Sequence, residues 1–120
     1  MSFLRVLLLT LILSNITLQA EPPVTMRVSG RLGMAPHTFA ATVVLERHVS
    51  NRELCLLWGL SGEGVYSSSC AELHGAQTQR VYYFQRTVEE SGTWHVIARI
   101  QRADDTTHQD TAEITVIGGM

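Results

Sequence analysis

The sequence predicts an all-β domain, a seven-stranded antiparallel sandwich, preceded by an export signal. Three observations lead there. Apolar residues recur every second position over most of the chain. Turn-forming clusters break that rhythm every eight to twelve residues. No stretch after the first twenty residues has the three-to-four-residue spacing of an amphipathic helix, which argues against alternating β and α units.

The leader comes first. Residues 1–20 carry one arginine, Arg5, then the apolar run Val6, Leu7, Leu8, Leu9, Thr10, Leu11, Ile12, Leu13, and end at the small residue Ala20. That order is the pattern of a secretory signal peptide. The run is short of the roughly 20 residues that span a bilayer. The expected mature domain, residues 21–120, is thus periplasmic or secreted, with no stable membrane insertion after signal removal. It holds eight arginines, no lysine and eleven acidic residues, for a formal charge of −3. No basic run appears, so nucleic-acid binding has no electrostatic footprint.

Seven strands follow from the alternation. Residues 24–29 place Val24, Met26 and Val28 on one face, and Gly30, Gly33 and Pro36 then interrupt the chain. Residues 39–47 point Phe39, Ala41, Val43 and Leu45 inward. His48 to Arg52 reads as a polar turn. Residues 54–60 set Leu54, Leu56 and Trp58 against Cys55 and Leu57 on the other face, before the turn Ser61, Gly62, Glu63, Gly64. Residues 65–73 form a weaker strand. Residues 80–88 carry Tyr82 and Phe84 inward and leave Val81 and Tyr83 outside; a one-residue change of register would exchange the two pairs. Residues 93–103 alternate Trp94, Val96, Ala98 and Ile100 inward, and 110–117 close the fold with Ala112, Ile114 and Val116. The expected core is Phe39, Val43, Leu45, Leu56, Trp58, Phe84, Trp94, Val96, Ala98, Ile100 and Ile114, with Trp94→Ala costing roughly 3–5 kcal/mol.

Cys55 and Cys70 are the only cysteines. An oxidising compartment pairs such residues, and on this register both face away from the core. A cross-strand disulfide on the outer surface is expected.

The segment Ser91, Gly92, Thr93, Trp94, His95, Val96, Ile97, Ala98, Arg99, Ile100 resembles the G-x-Y-x-V-x-A-x-V strand of bacterial extracytoplasmic immunoglobulin-like modules of the PKD-like and fibronectin-like kind, with Trp94 at the usual tyrosine position. Ala35–Pro36, Trp58 and the closing run Ala112 to Val116 fit the same pattern. Two features depart from it. The stretch from Trp58 to Gly64 lacks the aspartates of a PKD module, and the cysteines are too close in sequence for an inter-sheet bridge of the antibody type. The resemblance implies a scaffold, a seven-stranded antiparallel immunoglobulin-like sandwich, and carries no catalytic residue over.

Candidate chemistry is sparse. The five histidines show no HxxxH or HExxH spacing. Met34 and His37 are the weak candidates for a soft metal such as copper; otherwise no metal and no cofactor is expected. Ser67, Ser68 and Ser69 lack a nucleophile-elbow context. Asp104, Asp105 and Asp110 offer oxygen ligands that suit calcium. Leu57, Tyr66, Val81 and Tyr83 form the candidate interaction surface, apolar residues on faces expected to meet solvent. The sequence therefore predicts a non-catalytic binding or structural module that contacts a protein partner, and not an enzyme. The alternatives are a carbohydrate-binding module stacking sugars on Tyr66, Tyr83 or Trp58, and a small copper carrier.

Overall fold

A computed structural model describes residues 21–118; the expected signal peptide lies outside the described residues. Eight strands are present among them: β1 (Val24–Ser29), β2 (Leu32–Met34), β3 (His37–Leu45), β4 (Asn51–Leu60), β5 (Ser67–Glu72), β6 (Val81–Val88), β7 (Gly92–Arg102) and β8 (Thr107–Ile117). They form two sheets, ordered β1-β3-β6 and β2-β8-β7-β4-β5. The expected count of seven is corrected by β2, which runs through the segment read as a break. Its three residues pair with β8 in parallel, Met34 opposite Ile117, while the other pairings are antiparallel. The chain thereby leaves the three-stranded sheet after β1 and joins the edge of the five-stranded one. Gly30 (φ 76°) lies at the crossing, and the Ala35–Pro36 peptide that follows β2 is cis.

The core lies between the sheets and follows the two-residue period. From the three-stranded sheet come Val24, Met26, Phe39, Ala41, Val43, Leu45, Phe84 and Val88; from the five-stranded sheet come Leu54, Leu56, Val96, Ala98, Ile100, Ile114 and Val116. Both expected core tryptophans are corrected to rim positions. Trp58 and Trp94 are half-buried and pack against the core from its margin. Each has a polar neighbour there. Trp94 donates Nε1–H to the Glu90 carbonyl at 2.9 Å, and the Arg86 guanidinium lies 5.4 Å from the centre of the Trp58 ring. Arg86 also donates to Ser69 Oγ at 2.8 Å, tying β6 to β5 across the two sheets.

At one end of the sandwich the core turns polar. Asn51, expected in a turn, is 1% exposed at the start of β4. Its Oδ1 accepts from Arg102 Nε at 3.0 Å and its Nδ2–H donates to the Glu46 carbonyl at 2.9 Å. Arg102 completes the group with an ion pair to Glu46 Oε1 at 3.0 Å. A buried arginine needs such partners.

Candidate functional site

The outer face of the five-stranded sheet gathers most of the chemistry. Register assigns its rows. Ser68, Leu57, Ile97 and Thr111 lie side by side across β5, β4, β7 and β8. On one side of that row stand Cys70, Cys55, Arg99 and Gln109. On the other stand Gly59, His95 and Glu113. Further along, Thr115 lies opposite Leu32 and Ile117 opposite Met34 at the β2 edge.

Gly59 decides the shape of this surface. A Cβ there would come within 2.5 Å of the Val65 carbonyl oxygen and 2.7 Å of the Tyr66 ring. The missing side chain lets the chain before β5 fold back and lay Tyr66 on the sheet. An open depression of about 530 Å³ results, lined by Tyr66, His95, Ile97, Thr111, Glu113 and Arg31. His95 stands in a hydroxyl–imidazole–carboxylate line. Its Nε2 is 3.2 Å from Ser61 Oγ and its Nδ1 is 3.8 Å from Glu113 Oε1. The second distance exceeds a hydrogen bond, and the Glu113 side chain is 67% exposed. The Ser61 backbone N–H is already committed to the Thr93 carbonyl at 2.8 Å, so it is not available to stabilise an oxyanion. What the line offers is a set of hydrogen-bonding groups beside an aromatic ring. A second depression of about 500 Å³ lies around Val49, Arg52, Glu72, Leu73, His74 and Gly75. There the Arg52 guanidinium is engaged by the Val49 and Asn51 carbonyls at 2.8 and 2.9 Å.

The expected disulfide is present. Cys55 and Cys70 are register partners, bonded, with Cα atoms 4.1 Å apart, on the face that parity assigned. The four residues of the candidate interaction surface do not come together. Leu57 and Tyr66 lie on the outer face of the five-stranded sheet, whereas Val81 and Tyr83 project from β6, on the outside of the other sheet. Sequence reasoning missed a different exposed group at the β2–β8 edge: Leu32, Met34 and Ile117, which are 66%, 58% and 52% exposed. The signal was Leu32 and Met34 two apart, in a segment set aside as a break. Trp58, the third candidate for sugar stacking, faces inward under Arg86.

Met34 is exposed, and the His37 ring lies against Gly33 with Nε2 on the Gly30 carbonyl. Among the described residues, the metal-competent groups of three His, Cys, Asp or Glu side chains do not include His37. Two of the three aspartates that suit calcium, Asp104 and Asp110, are engaged by backbone N–H groups, Asp104 by that of Thr106 at 3.2 Å. Asp104 Oδ1 accepts from Thr106, and Asp110 accepts from Met26 N–H at 2.8 Å and Thr111 N–H at 3.0 Å.

Comparison with known proteins finds no family model and no curated protein that matches this chain. Solved structures do match. The superoxide reductase (neelaredoxin) from Ignicoccus hospitalis is 14% identical, with a TM-score of 0.59, covering 78% of this chain and 80% of its own. A superoxide reductase (neelaredoxin) variant from Archaeoglobus fulgidus, in the reduced form, gives 14% identity and a TM-score of 0.53 over 84% of this chain and 98% of its own. A family 76 glycoside hydrolase from a bovine Bacteroides thetaiotaomicron strain matches 80% of this chain with 21% of its own, at 14% identity and TM-score 0.54. At such identity the likeness concerns the fold alone. It corrects two expectations. The neighbours are not PKD-like modules, so a two-sheet β scaffold is what stands of that resemblance. The scaffold is also one that enzymes use, which overturns the placing of this chain outside the enzymes.

Proposed function

We propose that this chain is an exported binding module that meets a protein partner on the outer face of its five-stranded sheet, at the β2–β8 edge. The carrying observation is that Leu32, Met34 and Ile117 keep their apolar side chains in water together, two of them register partners. Exposed apolar groups clustered on a polar surface are characteristic of partner contacts. The signal-like character of residues 1–20 and the Cys55–Cys70 bridge support an oxidising location, periplasmic or outside the cell. A photo-crosslinking residue placed at Thr115 should capture a discrete partner in the protein's own exported extract. Leu32→Glu and Ile117→Glu should abolish that adduct, while Val81→Glu on the opposite sheet should leave it intact. An adduct indifferent to the edge substitutions would exclude this surface.

A second reading is carbohydrate binding, favoured by the Tyr66 ring laid over Gly59 with Arg31, His95, Thr111 and Glu113 around it. Glycan binding lost in Tyr66→Ala, with the far-ultraviolet spectrum unchanged, would support it. A blank glycan array would remove it.

A further inference from the structure

The Cys55–Cys70 bridge is placed where opening it leaves something behind. The two residues are direct register partners in the β4–β5 ladder, and Leu54–Ala71 and Leu56–Ser69 pair on either side. β4 is held independently by its pairing with β7. The ladder thus sets the two cysteines opposite each other through pairings that do not themselves involve the sulfurs. The bridge is outside the core and Cys70 is exposed, so a dithiol can reach it.

The surroundings are those of a ligand set. Glu53 Oε1 lies 3.4 Å from Cys55 Sγ, and the Glu53 carboxylate and both sulfurs fall within 4.8 Å of one another. Glu72 is the register partner of Glu53 and so stands on the same face, two residues from Cys70. Arg99 is the register partner of Cys55 on β7, so a fixed positive charge stands in the same row as the sulfurs. Two thiolates and a carboxylate select a soft or borderline divalent cation such as zinc or cadmium. Three such ligands leave one position of a four-coordinate ion for water.

We propose that reduction of this bridge creates a soft divalent-metal site, with Cys55 Sγ, Cys70 Sγ and a Glu53 carboxylate oxygen as ligands. The exchange is balanced. A dithiol reductant that meets the exported chain attacks the disulfide, is itself oxidised to a disulfide, and leaves Cys55 and Cys70 as thiols. Metal binding then releases the two thiol protons. The oxidised chain has no thiolate to offer, so binding is gated by redox state. The site stands independently of the partner or sugar that the same sheet meets.

The test uses the signal-free chain reduced with a phosphine, which takes oxygen from water to become the phosphine oxide while the sulfurs gain the two protons. After removal of the phosphine, cadmium is titrated and thiolate-to-metal ultraviolet absorption is read. One equivalent should bind to the reduced chain and none to the oxidised chain, with a β-type far-ultraviolet spectrum in both. Glu53→Gln should weaken binding by about tenfold or more, and Cys70→Ser should abolish the absorption. The proposal is overturned if the reduced chain shows no such absorption, if it loses its β spectrum, or if Glu53→Gln binds as tightly as the parent. A Glu72→Gln variant that alone weakens binding would likewise overturn the assignment to Glu53.

Discussion

At the scale of single residues, polar side chains at the sandwich margins do what apolar burial does inside. Asn51 is the clearest case, since Arg102 Nε has its 3.0 Å acceptor there. Asn51→Ala leaves that buried donor unpaired and should cost about 1–3 kcal/mol in urea unfolding. A loss indistinguishable from that of a surface substitution would mean that water reaches the Arg102 guanidinium and replaces Asn51. Asp104 supplies a pH signature in the β7–β8 turn. The Thr106 hydroxyl, then the Thr106 backbone N–H, hold its carboxyl below the ordinary value of 3.8. A carboxylate depressed on folding adds stability at pH above its unfolded value, and that contribution disappears as pH falls through the folded value. The stability gap between parent and Asp104→Asn should therefore be constant near neutral pH and close only in acid, below the ordinary carboxylate range. A gap that opens in acid would reverse the sign.

At the scale of elements, Arg86 shows how an edge between sheets is closed. It spans from β6 over the Trp58 ring to Ser69 on β5. Arg86→Ala should cost about 1–2 kcal/mol from the lost cation–π contact and hydrogen bond. It should also shift tryptophan emission to the red as Trp58 gains water. Unchanged emission would show that Arg86 does not cover the ring. The strands most readable from sequence were those whose neighbours do not matter to their pattern: β3, β7 and β8 each alternate cleanly, as does the face assignment of Cys55 and Cys70. Parity is a local property and two residues suffice to read it. Sheet membership is not local. Val81 and Leu57 share outward parity, yet β6 pairs with β3 and β4 with β7, so their faces point in opposite directions. The three residues of β2 offer only the pair Leu32 and Met34, too short a pattern to mark a strand, and parallel pairing to β8, more than eighty positions later, makes them one. Gly59 was equally silent, its role depending on Tyr66 folding back over it.

At the scale of the whole molecule, the two outer faces differ in kind. The three-stranded sheet leaves Val81 and Tyr83 exposed on its edge strand β6, while the five-stranded sheet carries the β2–β8 apolar edge, the Tyr66 depression and the disulfide. Solved superoxide reductases and about a fifth of a glycoside hydrolase match this fold, so function must be argued from faces and side chains, not from the scaffold. The bridge tests whether the scaffold is self-sufficient. Closing a loop over a separation of 15 residues constrains the unfolded chain by about 3 kcal/mol, whereas domains of this size have about 5–15 kcal/mol in all. The core between the sheets does not include either cysteine. A Cys55→Ala, Cys70→Ala double variant should thus remain folded, with an unchanged far-ultraviolet spectrum and a denaturation midpoint lowered by an amount equivalent to at most about 3 kcal/mol. Its slope with denaturant should rise if the unfolded chain, freed of the bridge, exposes more surface. Collapse of the variant to an unfolded spectrum would show that the two layers depend on a covalent link at their surface, and would remove with it the ordered dithiol on which a reduced metal site depends.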